Sequence, residues 1–217
     1  MNKKSILVAF AGLLSSPAYA HHPLGGLPME TLSDGVLSGI GHPLLGFDHM
    51  FFVIAVGIAA AYTGFKLTAP LAYIAAMLLG CVMMSFGVGL PIKEFIIGLS
   101  LVVVGAVVLS GKTPSLQTTV SLFALFGLFH GSAFGDTIAT QETAAGPAVL
   151  LGYLIGLGAI QYLIAVLAGY IVFSVMKALE ASAITPRLAG AAIAGAGLFL
   201  TLENLEGLLI PALGWGV

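Results

Sequence analysis

The sequence predicts an all-α integral membrane protein, a bundle of six transmembrane helices behind a cleaved signal peptide. Three observations carry that expectation. Hydrophobic residues make up 59% of the chain and charged residues 7%, where an average soluble domain has about a quarter charged residues. The apolar stretches are nearly free of charge, and each approaches the roughly 20 residues that cross about 30 Å of hydrocarbon as a helix. Short turns bearing Gly, Pro and Lys separate them, such as Gly111-Lys112-Thr113-Pro114 and Ile184-Thr185-Pro186-Arg187, residues that end helices for backbone reasons.

Residues 1–20 read as a secretion signal. Lys3 and Lys4 form its positive end, residues 6–14 its apolar core and Ala18-Tyr19-Ala20 its small-residue cleavage pattern. An uncleaved seventh helix is the alternative, but a core of about nine apolar residues is short for a span. The membrane domain then covers 21–217 and starts at His21. A polar segment over about 22–41 precedes spans placed near 43–64, 67–90, 91–110, 116–135, 147–176 and 186–209.

Cytoplasmic loops carry the excess of Lys and Arg. With the mature N-terminus outside, the loops after spans one, three and five hold Lys66, Lys112, Lys177 and Arg187, whereas the outer loops hold Lys93. Glu30, Asp34, Glu94 and Glu142 fall on the outer side. Both termini are therefore expected in the periplasm of a bacterium, with the chain in its inner membrane.

The formal net charge of −2 and the absence of a basic cluster argue against nucleic acid, which is bound by Lys and Arg neutralising phosphates. A single cysteine, Cys81, excludes an intrachain disulfide and every multi-cysteine metal site. Twenty-nine glycines are more than lipid-facing helices need. Spacings such as Gly152-x-x-x-Gly156 point to close helix packing, with a gating hinge as the alternative.

Ionisable side chains within hydrocarbon cost at least about 2.5 kcal/mol each and call for a functional reason. They cluster in two places. The first is Gly41-His42-Pro43-Leu44-Leu45-Gly46-Phe47-Asp48-His49. Pro43 suits a first helical turn, which puts His42 at or near the N-cap and Asp48 and His49 inside the span. Imidazole with carboxylate suits nickel, cobalt or zinc rather than calcium or magnesium. On a straight helix His42 and His49 stand about 10 Å apart, so either the helix is irregular around Gly46 or the histidines belong to successive sites. The plainer alternative is a histidine at a helix start plus a buried Asp–His hydrogen bond.

The second cluster, Phe129-His130-Gly131-Ser132-Ala133-Phe134-Gly135-Asp136, repeats the His-x5-Asp spacing three spans later, as a 3+3 inverted repeat would. Counting by helical rise puts both clusters in the outer half of the membrane. Glu203, Asn204 and Glu206 approach the same side, either as a cation funnel or as interfacial residues. His21 and His22 would add two imidazoles and a new α-amine, a capture site for scarce metal or an incidental polar end. Gln161 reads as a bond between helices. Cys81, Met83 and Met84 offer sulfur suited to copper(I), but core packing is preferred.

The start at His21, His42-Pro43-x-x-Gly46-x-Asp48-His49 and Phe129-His130-Gly131-x-Ala133-x-Gly135-Asp136 together resemble the HupE/UreJ family of nickel and cobalt permeases, across essentially the whole mature chain. The resemblance implies a secondary permease serving nickel hydrogenases, ureases or cobalamin synthesis. His42, Asp48 and His49 match its metal-motif positions, and Asp136 stands where many relatives carry glutamate. It implies a transported Ni2+ or Co2+ as substrate, no prosthetic group, no enzymatic activity, and periplasmic or cytoplasmic metal carriers as partners. A ligand set of His42, Asp48, His49, His130 and Asp136 is expected, with His21, His22 and Glu203 in support. The rival classes are an intramembrane metalloenzyme, with no His-Glu-x-x-His helix behind it, and a non-transporting metal sensor or accessory protein.

Overall fold

Seven α-helices form residues 29–139 and 146–214, the parts described in the computed structural model, and no strand occurs among them. The expected signal peptide and the histidines His21 and His22 lie outside the described residues.

The polar segment expected to run to Gly41 is helical from Leu32. Helix α1 (Leu32–Leu45) opens on a capping box: Thr31 Oγ1 accepts from the Asp34 N–H at 3.2 Å, and the Asp34 carboxylate accepts from the Thr31 N–H at 2.9 Å. Pro43 stands in the last turn of α1, so His42 is not at an N-cap as the sequence suggested. Proline has no N–H for the carbonyl four residues back, which weakens the ladder just where the helix stops. Gly46 is both C-cap of α1 and N-cap of α2 (Phe47–Ala61), and the two axes bend by 83°.

The remaining helices are α3 (Ala69–Ser85), α4 (Lys93–Leu109), α5 (Leu116–Ala139), α6 (Pro147–Tyr170) and α7 (Ile184–Ala212), with α6 continuing through a π-helical turn, Ile171–Val175. Helix α2 is apolar all round, with Phe52, Val53 and every residue from Ala55 to Ala61 buried, which suits a helix enclosed by protein. It touches α1 and α3 to α7. Around it the most extensive pairings are α3 with α5, α4 with α7 and α1 with α6.

Glycine makes these pairings close, as its density in the sequence suggested. A Cβ on Gly35 or Gly39 of α1 would run into the backbone of Val149 or Tyr153, and one on Gly152 or Gly156 of α6 into that of Leu32 or Val36. Gly131 of α5 lies in the same way against the Met77 carbonyl of α3.

Three helices are long and apolar enough to cross a membrane, or four when the bent α1–α2 pair counts as one span, and α3 is a shorter apolar helix. A multi-pass helical protein is therefore established. The six-span count exceeds what helix length supplies, since α3 and α4 have 17 residues each. At one end of the bundle lie the turns after α2, α4 and α6. Tyr62 Oη donates to the Ala178 carbonyl at 2.8 Å, Arg187 Nε to the Leu109 carbonyl at 3.1 Å, and Lys66 lies 5.6 Å from the Phe173 ring centre.

Candidate metal site

The break at Gly46 places His42, in the last turn of α1, beside Asp48 and His49, in the first turn of α2. The ring centroids of His42 and His49 are 6.0 Å apart, where a straight helix would have separated them by about 10 Å. Of the two arrangements considered from sequence, the irregular helix is the one found. His42, Gly46, Asp48 and His49 face a cavity of about 220 Å3, completed by Glu94 of α4 and Ala133 of α5. A Cβ at Gly46 would fit tightly, 3.0 Å from His49 Cδ2 and 3.3 Å from Asp48 Oδ1, and would press on both side chains.

A chain of hydrogen bonds fixes which nitrogen of His49 carries its lone pair. Ser100 Oγ donates to the Ile97 carbonyl at 2.6 Å, so its bond to His130 Nε2 at 2.9 Å uses the serine oxygen as acceptor. His130 is then the Nε2–H tautomer, and its Nδ1 accepts. His49 Nδ1 lies 2.8 Å from that nitrogen and must donate. The lone pair of neutral His49 is left on Nε2, 3.9 Å from Asp48 Oδ2. Such an outer partner is the usual device for orienting a ligating imidazole. His130 is fully buried and stacks on Phe52 with centroids 4.3 Å apart.

His42 is anchored similarly. Its Nδ1 lies 2.9 Å from both Tyr153 Oη and Thr137 Oγ1. Tyr153 Oη donates to the Phe134 carbonyl at 3.1 Å. The two hydroxyls thus hold the His42 ring at the wall of the cavity.

The other expected residues are placed differently. Asp136 pairs with Lys93 at the start of α4. His42 and Asp48 straddle a helix break, whereas His130 and Asp136 share the continuous helix α5, so the repeated spacing does not mark a repeated local structure. Glu203 lines a separate cleft of about 480 Å3 with Leu90, Ile92, Lys93, Glu94 and Asn204. Asn204 Nδ2 donates to the Leu200 carbonyl of its own helix at 2.9 Å. Gln161 is the interhelix bond expected: Tyr73 Oη donates to its Oε1, and its Nε2 lies 2.7 Å from Met77 Sδ. Cys81 is part of the apolar core.

Sequence reasoning did not single out Ser100, Thr137, Tyr153 or, as a site residue, Glu94. Among the described residues, no three His, Cys, Asp or Glu side chains are already gathered around one point as a coordination sphere. Two imidazoles and two carboxylates instead border the cavity, a donor set suited to borderline divalent metals.

Imidazoles and carboxylates beside a helix break, enclosed in a bundle of apolar helices, define a multi-pass membrane protein with a polar cavity among its helices. The chain belongs to the HupE / UreJ protein family, whose sequence profile matches residues 8–200. It is 29% identical to Protein HupE of Rhizobium leguminosarum bv. viciae over 200 residues, covering 91% of this chain and 98% of that protein. No solved structure matches it.

Proposed function

We propose that this protein is a secondary permease that carries a divalent transition-metal ion, nickel in preference to cobalt, inward across a bacterial inner membrane. The observation that supports it most is the break at Gly46, which sets His42 and His49 with ring centroids 6.0 Å apart over a cavity that Asp48 also lines. Broken helices with ionisable groups at the break are the usual membrane solution for holding an ion at depth. The negative end of α1 and the positive end of α2 meet at Gly46, so the charge that would favour a cation there comes from the Asp48 and Glu94 carboxylates.

In this reading His42 and His49 give imidazole lone pairs, Asp48 gives charge, and Glu94 completes the wall. His130 holds His49 in the ligating tautomer rather than binding the ion itself. Asp136 and Glu203 stand outside this set, along the approach to it. Binding needs neutral imidazoles and ionised carboxylates, so protons compete with the metal for the same atoms. His21 and His22 capture metal at the periplasmic face, and soluble carriers deliver or collect it.

Nickel uptake by sealed vesicles containing only this protein tests the reading. Uptake should saturate, and His42→Ala, Asp48→Ala and His49→Ala should each remove most of it while the protein still inserts. His21→Ala and His22→Ala should have milder effects. Vesicles that take up no metal would point to a sensor, an accessory protein or a metalloenzyme. Normal uptake by His49→Ala at limiting metal would remove the ligand assignment.

A further inference from the structure

Lys93 is the first residue of α4, and its ammonium pairs with the Asp136 carboxylate of α5. Neither lines the histidine cavity itself, but each is close in sequence to a residue that does. Lys93 adjoins Glu94, which lines that cavity and the larger cleft beside Glu203. Asp136 lies three residues beyond Ala133, another lining residue, and so on the same side of α5. The next residue, Thr137, bonds to His42. A fixed positive charge therefore sits near a site that otherwise presents carboxylates and imidazoles.

The backbone is bent to put it there. Ile92, immediately before Lys93, has φ 47°, a left-handed conformation that a β-branched residue adopts at a cost. The Leu90 N–H donates to Ser132 Oγ of α5 at 3.0 Å, which ties this turn to the helix that carries His130 and Asp136. Lys93 is partly shielded, with its side chain 19% exposed, whereas that of Asp136 is more open at 37%. Lysine suits a tether that must let go, because its ammonium is a single compact charge on a flexible stem, without the two-pronged grip of arginine.

We infer that Lys93 is a resident counter-cation: its ammonium holds the Asp136 carboxylate at the mouth of the site and gives it up to an incoming divalent ion. The inference rests on the metal reading above and adds a competitor to it. While Lys93 is paired, Asp136 is neutralised and offers an incoming cation little attraction. A divalent ion outcompetes the single charge, draws Asp136 to itself, and displaces the lysine towards the cleft beside Glu203. Monovalent ions, equal in charge to the tether, gain much less from the exchange.

Titration of purified full-length protein in detergent with Ni2+ separates the two readings. Wild type that does not bind Ni2+, or His49→Ala that binds as wild type does, would remove the metal reading itself. With that reading intact, Lys93→Met should bind about tenfold more tightly, the order of effect expected from deleting one nearby like charge in a partly shielded site. Asp136→Asn should bind more weakly, and adding Lys93→Met to it should restore little, because the competed carboxylate is gone. Lys93→Met that is folded by circular dichroism and binds no better than wild type would overturn the inference. So would equal tightening with and without Asp136. An independent check needs no variant. Saturating Ni2+ should increase labelling of Lys93 by an amine-reactive reagent, read by mass spectrometry, and unchanged or reduced labelling would equally overturn it.

Discussion

His49 owes its orientation to a serine fifty-one positions away in the chain. Ser100 turns its proton to the Ile97 carbonyl and its oxygen to His130, and His130 in turn accepts from His49. Ser100→Ala removes that acceptor and leaves the buried His130 Nε2–H without it. Metal affinity should fall, though by less than the roughly 10- to 100-fold that losing the direct outer partner of a ligating histidine costs, while helicity is retained. Calorimetry with Ni2+ checks this, and unchanged affinity would mean that the relay does not orient the ligand. The sequence made His42, Asp48, His49 and His130 visible because charge and imidazole are conspicuous in an apolar chain. Ser100, Thr137 and Tyr153 were not visible, since a lone hydroxyl in a membrane helix is common and its partners here come from other helices.

The break between α1 and α2 shows how far local pattern reaches at the level of elements. Thr31-x-x-Asp34 is a readable start signal for α1, and reading it would have corrected the polar segment assigned over 22–41. The break itself is less readable, because Pro43 followed by Gly46 fits a helix start as well as a helix end. Packing decides between them: α1 lies along α6 through Gly35, Gly39, Gly152 and Gly156, which secures the short helix that carries His42. A side chain at Gly156 would meet the Val36 carbonyl and push α1 away. Gly156→Leu should therefore lower stability by about 1–3 kcal/mol, as overpacking does, and weaken metal binding with it. Gly195→Leu is the control, since no atom lies within 4 Å of a Cβ there. Thermal unfolding of the two variants in detergent checks the contrast, and equal melting would mean that the α1–α6 contact contributes little.

For the whole molecule, Lys66, Arg187 and the turn at Ala178 gather at the end remote from the histidines, as the distribution of basic residues in the sequence suggested. With that end cytoplasmic, a reporter fused after Val217 should be active in the periplasm and one inserted near Lys112 in the cytoplasm. A cytoplasmic C-terminus would overturn this orientation. Between the site and the basic end the core is packed: Phe52, Tyr73 and Phe126 lie in edge contact beside the buried His130. From His49, α2 runs on to Ala61 with every residue from Ala55 buried, a rise of about 18 Å. Under the permease function proposed above, that packing would have an electrical consequence. A membrane potential falls mainly across the part of the protein that excludes water, so an ion resting at His49 has crossed little of the field. The work of the field, about 2.3 kcal/mol per unit charge per 100 mV, is then delivered when the packed core rearranges around a loaded ion. Voltage would then act on the pace of turnover and leave the occupancy of the proposed site nearly unchanged.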